Sequence, residues 1–192
     1  MPERCDMNTT SAVQRRLHQY RYSVAAKYIE PDDVVLDAAC GPGYGRQILP
    51  RCKRYIGIDY WRPEKYLSNG ILFRREEGDP VRDEPDEFIQ VDLSEWTHFP
   101  ISYDVCVSIE TIEHIENYKY LVEIAKASKR LMIISTPITP TKHKNPFHVH
   151  DFTKESVCTI FEDDAWKLKY FEEQPGRKGQ GVVHGIFVFD RQ

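Results

Sequence analysis

The stretch Asp37-Ala38-Ala39-Cys40-Gly41-Pro42-Gly43-Tyr44-Gly45 carries the clearest chemical signal in the chain. Its glycines follow an apolar run and open a helix. Glycine tolerates positive φ and leaves room for a ligand against the backbone. A helix start adds free N–H groups. Dinucleotide sites share such a loop, so its company decides the reading. Asp37 precedes the loop, where a carboxylate can face a ligand's ammonium group. Asp59 closes the next apolar run, where it can take both hydroxyls of a ribose. Asp92 closes the third run, where it can meet an exocyclic amine. Two further clusters follow the fourth and fifth runs: Glu110-Thr111-Ile112-Glu113-His114, and Asn145-Pro146-Phe147-His148-Val149-His150-Asp151-Phe152-Thr153. In an extended segment His148 and His150 point the same way.

The elements that must position these groups alternate. Ser11 to Ile29 has apolar residues at intervals of three and four (Val13, Leu17, Tyr20, Val24), which predicts a helix stopped by Pro31. Val34–Ala39 is a buried strand running into the glycine turn. A helix is expected from Tyr44 and a second strand over 54–59, so strand, turn, helix and strand make a βαβ unit and a parallel sheet. Strands are predicted over 87–93, 103–110 and 130–136. Helices are predicted over 117–128 and from Thr153 to Phe161. Segments 166–172 and 185–189 alternate across a glycine-rich turn, which predicts an antiparallel hairpin. Between Trp61 and Glu87 the pattern fails. Acidic residues and prolines suggest an irregular, solvated insertion, with at most a short helix over 63–67. The expectation is one α/β domain over 1–192.

Acidic residues outnumber basic ones 30 to 26, giving net charge −4, which argues against a protein held on duplex DNA by phosphate neutralisation. The five cysteines form no CxxC, and Cys40 and Cys106 sit in apolar runs, which suits a reducing compartment. No apolar run reaches the roughly 20 residues of a membrane span. The first ten residues are polar and unlike a signal peptide. A cytoplasmic protein without a membrane partner is expected.

Taken together, DAACGPGYG, GIDY, VDL after the third strand, SIETIEHI after the fourth, STP after the fifth and the closing hairpin resemble the class I S-adenosylmethionine-dependent methyltransferases. The resemblance implies a Rossmann-like seven-stranded sheet in the order 3-2-1-4-5-7-6, with strand 7 antiparallel and helices on both faces. It implies S-adenosylmethionine across the strands' C-terminal ends. Asp37, Gly41 and Gly43 would surround its methionine part, with Ala39, Tyr44 and Ser108 beside them. Asp59 would take the ribose, and Asp92 and Leu93 the adenine. Tyr60 or Trp61 could stack on the base.

In that fold the segment after the fourth strand faces the acceptor. Methyl transfer needs the nucleophile held in line and water excluded. A hydroxyl nucleophile gains from a general base, for which His114 is the candidate, with Glu110 and His148 beside it. NPFHVHDFT resembles a motif in methyltransferases of glycan and cell-surface biosynthesis and in small-molecule O-methyltransferases. The leading helix, with His18, Arg21 and Tyr22, is similar to theirs. A small-molecule or glycan acceptor follows, with His148 or His150 lining its pocket. A competing reading gives Glu110, Glu113, His114 and His148 to one Mg²⁺, Mn²⁺ or Zn²⁺ ion. E-x-x-E-H and the later histidines also look like the small-RNA 3′-terminal 2′-O-methyltransferases, which would make RNA the acceptor. A third reading is a S-adenosylmethionine-binding protein without turnover. The Asn/Asp-Pro-Pro-aromatic tetrad of DNA amino-methylation and the Pro-Cys of cytosine-C5 methylation are both missing after the fourth strand.

Overall fold

The computed structural model describes residues 11–60, 87–95 and 101–192. Apart from Glu87, the insertion expected over 61–87, with Trp61 and the helix over 63–67, lies outside them. The described strands are β1 (Val34–Ala38), β2 (Arg54–Asp59), β3 (Glu87–Gln90), β4 (Val105–Ile109), β5 (Leu131–Pro137), β6 (Trp166–Pro175) and β7 (Val183–Arg191). They form one sheet in the order β3-β2-β1-β4-β5-β7-β6, as the resemblance implied. β1 to β5 pair parallel, and β7 runs antiparallel to both β5 and β6.

Strand alternation sends successive residues to two cores. Val35, Val105, Leu131 and Ile133 pack with Tyr22 and Ala25 of α1 (Ala12–Ala26). Leu36, Cys106, Met132 and Ile134 pack with Leu121 of α2 (Lys119–Lys126) and with Val157 and Phe161 of α3 (Lys154–Phe161). Both faces are therefore covered, which is why β1 and β4 read as continuous apolar runs. Among the described residues, no helix is long and apolar enough to cross a membrane.

Three helices are shorter than their patterns predict, α2 by two residues at each end. α1 stops at Ala26 because tertiary contacts draw the next residues away: Arg130 Nη2 donates to the Tyr28 carbonyl at 2.9 Å, and the Tyr28 ring leans on Tyr170. The helix expected from Tyr44 is one 3₁₀ turn, Tyr44–Gln47, since Pro50 cannot continue it. α3 starts on a capping box between Thr153 and Ser156. The strand order reverses at β1, flanked by β2 and β4, so a crevice opens at the carboxyl ends of these strands.

Candidate active site

The glycine loop leaves β1 through left-handed backbone at Ala39 (φ 64), Gly41 (φ 58) and Gly43 (φ 80). Asp59 at the end of β2 accepts the Gly41 N–H at 2.9 Å through Oδ2, so this carboxylate fixes the loop as well as facing the crevice. A Cβ placed on Gly41 would meet nothing within 4 Å, so space for a ligand lies open over that residue. Asp92 turns back to accept from the Ser94 N–H and hydroxyl through one oxygen, Oδ1. His18 reaches from α1 to the Tyr44 hydroxyl, with Nδ1 at 3.0 Å. Burial, then the charge of Arg21, pushes His18 down to about 4, so its imidazole is neutral at physiological pH.

The acceptor half is built on the ends of β4, β5 and β7. Glu110 follows β4 with φ 53, a strained turn for this residue type that swings its carboxylate out of strand alternation. His184 Nδ1 lies 2.7 Å from its Oε2, Arg21 Nη1 lies 3.6 Å from the same oxygen, and Ser135 donates to Oε1 at 2.9 Å. Burial alone would raise the Glu110 pKa, but Arg21 and His184 outweigh it and keep the group ionised. Glu113 differs. Burial, and then the Glu110 charge, push it well above the usual carboxylate range. Its Oε2 accepts from Thr136 at 3.0 Å, while Oε1 has no hydrogen-bond partner among the described residues.

His114 adjoins this acid. Its Nδ1 pairs with the Phe147 carbonyl at 3.0 Å. A carbonyl only accepts, so Nδ1 carries the proton and Nε2 keeps its lone pair, 3.9 Å from Glu113 Oε1. The His148 ring meets His114 edge-on at 4.6 Å and pairs its own Nδ1 with Thr141 Oγ1 at 2.6 Å. The Glu113 carbonyl accepts from Val149 at 2.8 Å, binding the two histidine-bearing segments together.

The resulting crevice is about 1040 Å³, at the upper end for a ligand site. Of the residues expected on its cofactor side, Ala39, Gly41, Tyr44, Asp59, Tyr60, Asp92 and Leu93 line it. Asp37, Gly43 and Ser108 do not. Asp37 is wholly buried and accepts from Tyr55 at 2.6 Å and Tyr22 at 3.1 Å. Burial raises it to about 7, against the lowering effect of the two hydroxyls. Glu110, Glu113, His114 and His148 all line the acceptor side. His150 does not, because its Nε2 lies within hydrogen-bond distance of the Ile115 and Glu116 carbonyls, at 3.1 and 3.0 Å. Glu110 stands apart from the expected metal set, since Arg21 and His184 hold it. His184 went unnoticed in the sequence, where it is one histidine in a hairpin strand.

A family described as a methyltransferase domain matches residues 36–132. Two Mycobacterium tuberculosis proteins, from strains CDC 1551 / Oshkosh and ATCC 25618 / H37Rv, are each 27% identical over 191 residues. Each bears the name "Probable S-adenosylmethionine-dependent methyltransferase", and the match covers 92% of this chain. The chain spans 65% of the length of these relatives. Magnesium protoporphyrin IX methyltransferase from Synechocystis PCC 6803, solved with S-adenosylmethionine bound, superposes with TM-score 0.65 at 15% identity, covering 99% of this chain and 87% of that one. The YcgJ protein from Bacillus subtilis gives 0.68 at 13% identity, covering 91% and 99%. With the matched segment running from the glycine loop through β4 to β5, and the sheet in the order read from the sequence, the chain belongs to the methyltransferase domain family, in its class I S-adenosylmethionine-dependent fold.

Proposed function

We propose that this chain binds S-adenosylmethionine in the crevice and methylates an oxygen of a small-molecule or sugar-like acceptor, with His114 as the base. The observation that carries the reading is the tautomer of His114, whose Nδ1–H is held by the Phe147 carbonyl so that Nε2 is free to take a proton. The open space over Gly41 and the Asp59 carboxylate anchored beside it fit the cofactor. Bound there, S-adenosylmethionine supplies a methyl group activated by a sulfonium leaving group. The chain's own tasks are to orient the hydroxyl, exclude water and remove its proton. The hydroxyl proton ends on His114 Nε2, beside the neutral Glu113. Glu110, already ionised and paired, keeps the inner wall in place.

Titration of S-adenosylhomocysteine by calorimetry tests the cofactor half. Asp59→Ala is expected to weaken binding by about 1.5–3 kcal/mol, the scale of hydrogen bonds to a charged group, or roughly 10- to 150-fold. Asp59→Asn retains an oxygen for the Gly41 N–H and separates loop support from ribose binding. Wild-type affinity in both variants would sink the ribose assignment. Tight binding without turnover across hydroxylated acceptors would favour the silent-binder reading.

One observation favours a second reading. Ligand atoms of Glu113, His114 and His148 lie within 4.8 Å of one another, the geometry of a divalent cation site. These three residues would hold Mg²⁺ or Mn²⁺, which would acidify an acceptor hydroxyl, and an RNA 3′ end would become the acceptor to try. Because Glu113 sits well above the usual carboxylate range, a cation must expel its proton. Binding of Mn²⁺ to protein saturated with S-adenosylhomocysteine should therefore strengthen as pH rises and vanish in Glu113→Ala. No heat of binding at alkaline pH would retire this reading and leave His114 as a base.

A further inference from the structure

Arg21 projects from α1 into the crevice wall, 1% exposed, yet its Nε and Nη1 have no hydrogen-bond partner among the described residues. Its counter-charge, Glu110 Oε2, stands 3.6 Å from Nη1, outside hydrogen-bond reach. That carboxylate is already engaged by His184 and Ser135. A guanidinium carries five donors in a planar fork and stays charged throughout the physiological range. Burying two of its nitrogens, with three N–H donors, unused is costly, so the fork is shaped for a group the chain does not supply. A carboxylate or a phosphate accepts strongly from such charged donors.

Position says which molecule brings that group. The cofactor residues Gly41, Asp59 and Asp92 follow β1, β2 and β3, on one half of the sheet. Arg21 stands instead over Glu110, Ser135 and His184, which belong to the ends of β4, β5 and β7. Lys144 and Arg177 line the same crevice and add positive potential to it.

We propose that Arg21 seats an oxyanion of the acceptor, so that the methylated molecule carries a carboxylate or phosphate as well as the hydroxyl presented to His114. This rests on the methyltransferase reading above. The ¹⁵N–¹H resonance of Arg21 Nε in the full chain tests it. The resonance is assigned by its loss in Arg21→Lys or, where that variant does not fold, by its through-space contacts to Glu110 and His184. Protein saturated with S-adenosylhomocysteine is titrated with benzoate, inorganic phosphate, neutral benzamide and sodium chloride at matched ionic strength. The anions are taken to ~10 mM, past a weak Kd of ~1 mM. The expected result is a saturable shift with benzoate or phosphate and none with benzamide or chloride. Benzoate alone would identify a carboxylate, and phosphate alone a phosphate.

Two results overturn the proposal. In the first, the resonance moves on adding S-adenosylhomocysteine but not methylthioadenosine, which lacks the amino-acid end, and then ignores the anions. Arg21 then serves the cofactor's own carboxylate. In the second, nothing moves it, and the pair with Glu110 is structural. Should S-adenosylhomocysteine fail to bind, the cofactor reading falls, while the anion titration of the free chain still decides Arg21.

Discussion

Replacing His114 by alanine is expected to lower kcat by about 10²–10⁴-fold, the usual contribution of a positioned general base. The affinity for S-adenosylhomocysteine should stay within a few-fold of wild type, because the residues proposed for the cofactor lie at or just beyond the ends of β1, β2 and β3. The imidazole is held on both sides: Nδ1–H at the Phe147 carbonyl and an edge contact with His148. Its orientation is thus set before any acceptor arrives, and Nε2 is the atom presented. His114→Gln keeps a donor for Phe147 but offers no base of imidazole strength, so it should lose nearly as much. The acid limb of the pH–rate profile should vanish in both variants. A wild-type rate in either would remove His114 from the chemistry, and an unchanged rate with lost Mn²⁺ binding would show the metal to be idle.

Gly45→Ala should lower stability by about 2–5 kcal/mol, summing overpacking and a disrupted buried hydrogen bond. For a chain of this size that is a fall in Tm of roughly 5–15 °C. A Cβ on Gly45 would lie 2.3 Å from Tyr22 Cε1 and 2.4 Å from Cζ, closer than any real contact. The Tyr22 ring cannot give way, since it is buried to 2%, packs edge-on against Tyr44 at 5.5 Å and donates to Asp37. Moving it would open the α1 face of the sheet beneath the glycine loop. In a Tyr22→Ala background the same substitution should cost much less, a non-additivity that a double-mutant cycle measures. Equal cost in both backgrounds would exclude the clash as cause.

The sheet was legible because its evidence is local. Apolar runs leading into Gly41, Asp59 and Asp92, then into Glu110 and Pro137, mark five strand ends in succession, which define one edge of a parallel sheet. Asp37 shows what locality leaves out. Alternation puts it on the same face as Val35. Ala39 lines the crevice, while Asp37, two residues and about 7 Å deeper, is covered by Tyr22 and Tyr55. Face is written in the sequence; depth depends on side chains that arrive from elsewhere. Ser108 is buried for the same reason, one residue before the wall begins at Ile109. Glu110 departs from alternation through its positive φ, so its partners Arg21 and His184 could not be read from strand phase. His148 and His150 were paired by assuming an extended segment. The chain over 145–152 forms no strand, and the two rings part company.

The crevice wall is also a statement about the order of assembly. α1 precedes every strand of the sheet, yet three of its polar contacts are with the closing hairpin. Arg177 donates to Gln14 across 163 residues, Gln174 to the Leu17 carbonyl across 157, and Tyr20 to Glu172 across 152. Closing loops of that length is entropically expensive and slow. During synthesis Tyr22 can settle against Asp37 and Tyr44 once β1 and its loop have emerged. The β1–β5 half of the sheet can pair at that stage, but Arg21, Glu110 and His184 come together only when β7 is in place. That inner wall is therefore completed after the sheet it stands on.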